Sequence, residues 1–305
     1  MPYFIIAFII LVSGYFFPLD STVPIFLSII LLVPLFIWHN SYFNKDKLSK
    51  QISGKSKSSV LFWILALFLL AMLIRVISVM SFSQPYEKTP LIYLTLLTIL
   101  FVDRTDVSAF GFKTQKIWKA LLYGVVFYVL FGGLALLLMG SFVYYFTGQN
   151  LIAMYDFTLF LLAMPFMTLC VGISEEGLFR GYMQTHFQKL YTPAKAILIQ
   201  AVFFGVWHFV WNLNPFDPFG MAMYIASTFF IGLIFGYFYS KSRNLVPLIL
   251  THGLWNSVLA GVPNVAGAEI IGGMSLMNQV VASFLPYMIS TVFAIFFIKY
   301  VVKEI

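Results

Sequence analysis

An all-α, polytopic bundle of transmembrane helices is expected from three features of the chain. Of 305 residues, 61% are apolar and only 10% are charged, against roughly 25% charged in a soluble domain, which leaves too little polar surface to face water. The apolar residues form continuous runs, without the polar-in, apolar-out alternation that lipid-spanning strands require. Most of the runs are also long enough to cross or enter a hydrocarbon core of about 30 Å.

Ten runs follow in order, near 3–17, 25–38, 60–82, 90–102, 119–147, 152–174, 194–211, 220–240, 245–262 and 277–300. The first, second and fourth are short for full spans, so about 8 to 10 membrane segments are expected. The first run has no basic stretch before it and no small-residue cleavage pattern before Asp20, so it is expected to be retained and not removed as a signal peptide. No internal repeat is visible. Residues 1–118 are read as N-terminal membrane segments with a basic loop, and 119–305 as the helical core. The polar stretch 39–59 is the one candidate linker, read as a solvated loop. Cys170, the single cysteine, lies in an apolar run and reads as a small buried hydrophobe.

The net charge of +7 is read as topology and not as a nucleic-acid partner, because Lys and Arg near span ends are retained in the cytoplasm. Alternating spans place 16 of the 18 basic residues on one side, leaving Lys88 opposite and Arg75 inside an apolar run. The expected location is the cell membrane, multi-pass, with both termini cytoplasmic. Trp38, Trp63 and Trp118 close the basic ends of their runs, as an interfacial aromatic belt does.

Ionisable groups within apolar runs cost about 2.5–3.5 kcal/mol each on insertion scales, so each needs a reason. Three clusters stand out: Glu175 and Glu176 with Arg180, Phe204 with His208, and His252 with Asn256. The members of each pair Glu176/Arg180, Phe204/His208 and His252/Asn256 are four residues apart, one face of a helix. If the helix continues past Arg180 through Met183 and Phe187 to Lys189, Glu175 lies roughly 20 Å from that basic edge. His208 lies at about the same depth counted from Lys195, and His252 lies roughly 12 Å from Asn244. The clusters can therefore share one buried cavity, expected to open toward the cytoplasm.

Glu176 and Arg180 have the favoured order for an ion pair, leaving Glu175 as the odd carboxylate, suited to act as general base on water. His208 is placed to share or orient that water, and His252 with Asn256 can offer donors to a developing oxyanion. Such a set suits acyl transfer to water. His39 and His186 fit no constellation, and Arg75 and Asp156 are read as structural or interface charges.

The order and spacing of these motifs resemble the CPBP (CAAX-protease and bacteriocin-processing, or Abi) family of intramembrane proteases, marked by E-E-x-x-x-R, F-x-x-x-H and H-x-x-x-N/D on successive helices. Gly181 after the arginine also fits the family's usual form, and the resemblance covers about 160–262. It implies a membrane hydrolase that cuts a peptide bond of a membrane-associated peptide or lipoprotein substrate, prenylated or of signal or bacteriocin type. Glu175 and His208 would then activate water, His252 and Asn256 would form the oxyanion hole, and Glu176, Arg180 and Phe204 would support them. No cofactor is favoured, since no H-E-x-x-H or cysteine ligand set is present; zinc, if bound, would fall to Glu175, Glu176, His208 and His252. The other classes are a non-catalytic immunity or scaffold protein and a proton-coupled transporter, because buried Glu and His also build proton relays. The sequence carries no signal of oligomeric state. A tag-accessibility assay is expected to find both termini on the cytoplasmic side, and termini on opposite sides would overturn this topology.

Overall fold

The computed structural model describes residues 23–35, 48–52, 56–82, 87–262 and 270–305, and among these every regular element is helical. The run at 3–17, Trp38 and His39 lie outside the described residues. In chain order the helices are α1 (Val23–Ile30), α2 (Lys57–Phe82), α3 (Lys88–Leu97, widening into a π-turn at Thr98–Val102) and α4 (Ile117–Thr147). They continue with α5 (Phe157–Leu190), α6 (Pro193–Trp207, extended by a 3-10 turn at Phe209–Asn212), α7 (Pro218–Ser242), α8 (Val246–Gly261) and α9 (Leu276–Tyr300).

Six helical stretches among the described residues are long and apolar enough to cross a membrane: α2, α4, α5, α6 with its 3-10 turn, α7 and α9. The 16-residue α8 falls short of that length but is packed within the bundle. Apolar residues also cover the outside. On α2, Phe62, Leu65, Leu69, Leu73, Ile77 and Met80 recur every three or four residues and are all exposed, a stripe that only a lipid environment covers without penalty. Trp63 and Trp118 are likewise exposed.

Helix starts follow local chemistry. The Asp156 side chain accepts from the Thr158 and Leu159 amides and so caps α5, which gives this near-membrane charge a structural role. Thr192 and Asp217 cap α6 and α7, each followed by a proline whose missing N–H costs nothing at that position. Residues 48–52, expected to belong to a solvated loop, are instead partly tied down. Ser49 donates its amide to the Arg104 carbonyl and accepts from the Asp106 amide. Cys170 is fully buried, as expected of a small hydrophobe.

α5 is the spine of the site. It is longer than the apolar run 152–174 because its later turns, though polar, are buried by neighbouring helices from Gly177 through Phe187. Two wide turns, Met167–Gly172 and Gly177–Gln184, flank a short α-helical piece, Ile173–Glu176, that carries the paired glutamates. Such widened turns rotate the side chains that follow and recur at functional sites. α8 crosses α5 there at close range. A Cβ on Gly172 would stand 2.7 Å from the Ile249 carbonyl oxygen, and one on Gly253 would stand 2.5 Å from Thr168 Cα. Small residues permit that backbone approach, which sets His252 beside the glutamates. Gly253→Ala is expected to force the helices apart and destabilise the protein by about 1–3 kcal/mol; an unchanged melting temperature in detergent would contradict this packing.

Candidate active site

Five helices supply the centre. α5 presents Glu175, Glu176 and Arg180, the end of α6 presents Phe204, Trp207 and His208, and α8 presents His252. α3 packs against Ile173–Glu176 and brings Lys88, while α2 reaches the 3-10 turn after α6 and brings Arg75. His208 is not in mid-helix: it caps α6, at φ −93° and ψ −3°, where the chain passes into the 3-10 turn. Its Nδ1 lies 2.8 Å from the Phe204 carbonyl oxygen. A carbonyl only accepts, so Nδ1 carries the proton, and in the neutral ring Nε2 is left as an acceptor.

The predicted Glu176–Arg180 pair forms, with Arg180 Nη1 3.0 Å from Glu176 Oε1 and both side chains fully buried. Glu176 does more than neutralise the arginine, because its Oε1 also lies 2.7 Å from His252 Nδ1. The Arg180 guanidinium sits 4.1 Å from the centre of the Phe204 ring, a cation–π contact strengthened by burial. Phe204 therefore does more than pack: its ring also lies 4.8 Å from the His208 ring.

Glu175 is not the odd carboxylate that the sequence suggested. Lys88 Nζ donates to its Oε1 at 2.6 Å, Trp207 Nε1 donates to the same oxygen at 3.0 Å, and Arg75 Nη1 stands 4.0 Å away. Its other oxygen, Oε2, has no hydrogen-bond partner and lies 3.8 Å from His208 Nε2 and 3.5 Å from His252 Nε2. Lys88, placed by charge counting on the opposite side from the other basic residues, is thus a buried partner of Glu175, and its neighbour Glu87 lies 2.9 Å from Lys88 Nζ as a second carboxylate on the same cation. Arg75, read as a structural charge, hydrogen-bonds Glu87 and the Trp207 carbonyl oxygen. Together Arg75, Lys88 and Arg180 balance Glu87, Glu175 and Glu176, and all six side chains are at most 3% exposed.

Asn256, expected to join His252, lies one turn further along α8, is half-buried, and its side chain makes no hydrogen bond to another described residue. His186 makes a separate buried pair with Asp103 at 3.3 Å. Among the described residues no group of three or more His, Cys, Asp or Glu is arranged to hold a metal ion. Lys88 and Trp207 occupy Glu175 Oε1, and Arg180 and His252 occupy Glu176 Oε1.

An open groove of about 500 Å³ runs beside the centre, lined by Trp211, Asn212, Gly220, Met223, Tyr224 and Ser227. The Tyr224 ring lies 5.6 Å from the His208 ring, and Arg75 lies 5.4 Å from the Trp211 ring centre, so the groove wall touches the site directly. It lies at the end of α6 away from Lys195, where α6 stops at Trp207 and the chain turns.

A multi-helix membrane bundle with a buried Glu/His centre is the class that this fold and geometry define. Residues 157–258 match the family described as Type II CAAX prenyl endopeptidase Rce1-like, a stretch that holds all three motifs. The match supports the CPBP/CAAX-protease family, a hydrolase family, in agreement with the motif order. No curated protein and no solved structure matches the chain. Arg180→Met would leave a buried carboxylate without its guanidinium, at an expected cost of about 3–5 kcal/mol. Pairing it with Glu176→Gln should recover much of that loss in a thermal scan, and a single variant as stable as wild type would contradict the pairing.

Proposed function

We propose that this protein is an intramembrane endopeptidase that uses a glutamate-activated water on a membrane-associated peptide or lipoprotein substrate. The observation that carries this reading is the confrontation of two acceptors: the unpartnered Glu175 Oε2 faces His208 Nε2 at 3.8 Å. In the tautomer set by the Phe204 carbonyl, neither atom has a proton for the other. A molecule with two donor hydrogens and a nucleophilic lone pair, a water, complements them. Glu175 takes a proton from that water as it attacks the scissile carbonyl, with His208 orienting the water through its second hydrogen.

Charge develops on the carbonyl oxygen in the tetrahedral intermediate, and His252 is the donor at hand. Its Nδ1 is engaged by Glu176, so donation from Nε2 needs both ring protons. The carboxylates of Glu175 and Glu176, on its two edges at 3.5 and 2.7 Å, are the partners such a cation requires. Asn256 is half-buried on the same helix and serves as a second donor once substrate is bound. The collapse of the intermediate returns the proton from Glu175 to the leaving amine. In this reading the positive charge facing Glu175 comes from Lys88 and Arg75, and no step calls on a metal.

The family match favours a substrate of the CAAX type, cut near a lipidated cysteine in the membrane. Glu175→Gln and His208→Ala are each expected to lower kcat by about 10²–10⁴-fold on an internally quenched, farnesylated peptide, with membrane insertion unchanged. Full activity in both variants would sink the mechanism. Dialysis against a chelator is expected to leave kcat within about twofold, since acid–base groups supply the catalysis, and its abolition with recovery on adding zinc would point to a metal centre instead.

A further inference from the structure

The endopeptidase reading uses residues within 157–258, yet half of the buried charge network comes from outside that stretch: Arg75 on α2, Glu87 at the start of α3, and Lys88 in its first turn. The two oxygens of Glu175 have unlike surroundings. Oε1 receives Lys88 and Trp207, while Oε2 has no partner and faces both histidines. The terminal torsion of a glutamate is broad, so a carboxylate without directional donors would turn and exchange its oxygens.

We propose that Lys88 is a positioning residue of the reaction: together with Trp207 it clamps Oε1 and so fixes Oε2 toward His208 and His252. This role rests on the endopeptidase reading. Lys88 is held more closely than charge neutralisation alone demands. Its Nζ lies between Glu175 Oε1 at 2.6 Å and Glu87 Oε1 at 2.9 Å, and 5.1 Å from the centre of the Trp207 ring. Arg75 fixes the other side of this assembly. It pairs with Glu87, donates from Nε to the Trp207 carbonyl oxygen at 3.1 Å, and lies 4.5 Å from the Trp207 ring centre. The two donors to Oε1 are therefore themselves held by the same arginine, one through Glu87 and one through backbone and ring. Packing of α3 on Ile173–Glu176 sets the reach of Lys88 by the fold and not by a mobile loop.

Lys88→Met alone would strip a buried carboxylate of its cation and risk unfolding. The double variant Glu87→Gln/Lys88→Met keeps the centre neutral, with Arg75 left opposite Glu175, and so separates orientation from charge balance. If Lys88 positions the carboxylate, the double variant folds but loses about 10²-fold in kcat, the scale of a misplaced catalytic group, with KM within about threefold. Lys88→Arg, which keeps charge and donors, retains activity within about tenfold, the loss of one imperfect charged hydrogen bond. A double variant with wild-type kcat overturns the proposal.

Trp207→Phe removes the other Oε1 donor without changing charge and reads the same clamp should the double variant be unstable. Its kcat is expected to fall about tenfold or more at unchanged KM, and an unchanged kcat overturns the clamp. Glu175→Gln separates the two levels. If it is inactive while the Glu87→Gln/Lys88→Met protein is fully active, the endopeptidase reading stands and the role of Lys88 falls. If Glu175→Gln is fully active, or wild type cleaves neither a farnesylated nor an unmodified quenched peptide, the reading itself falls and takes the positioning role with it.

Discussion

Burying ionised groups in an apolar bundle is tolerable only when every charge is met by another at hydrogen-bond distance, and that constraint organises the centre of this molecule. Three cations and three carboxylates drawn from α2, α3 and α5 sit in its interior. None could be moved by a turn of helix without leaving a partner uncompensated. The helix positions are therefore coupled: α3 must lie against the Ile173–Glu176 piece of α5, and α2 must reach the end of α6. The close crossing of α5 and α8 at Gly172 and Gly253 meets the same demand from the other side, since only near backbone contact brings His252 within 2.7 Å of Glu176.

Adjacent residues on a helix point about 100° apart, and this angle gives the neighbouring glutamates different work. Glu176 turns toward Arg180 and His252, with one oxygen serving both. Glu175 turns toward Lys88 and Trp207 with one oxygen and toward the histidines with the other. His252 touches both carboxylates and so links the two halves of the network. A pair of acidic residues that looks redundant in sequence is in space one carboxylate bound to Arg180 and His252 beside another whose second oxygen faces both histidines.

Most of the helices were legible because lipid leaves little choice: a long continuous apolar run has to span or be packed inside. The motif residues were legible for the complementary reason, since ionisable groups inside such runs are conspicuous. Glu87 and Lys88 were not. They follow the polar segment Ser81–Phe82–Ser83–Gln84–Pro85–Tyr86, which reads as a solvated turn, and Lys88 meets Glu175 across 87 positions. Charge counting then placed Lys88 outside, because that rule sees only the distance of a charge from a span end and not whether a neighbouring helix covers it. Trp207 was hidden among many aromatics, its indole N–H being informative only once an acceptor stands beside it. Spacing of four puts His252 and Asn256 on one face, as read from the sequence; that the histidine is drawn to the carboxylates while the asparagine lies a turn beyond them was not legible, because it depends on the α5 crossing.

The same network determines the side from which a substrate can approach. Lys88, Trp207 and Arg75 close the Oε1 side of Glu175, and Arg180 on the Phe204 ring closes the centre from beneath. The two histidines are the most exposed members, with side chains 10% and 8% accessible. Beyond His208 stands Tyr224 and then the groove along the first turns of α7. A peptide lying in that groove would lie against Tyr224, whose ring adjoins the His208 ring. The clamp that keeps Oε2 directed at the histidines therefore directs it at the least buried members of the centre, so access and chemistry follow from one arrangement of charges.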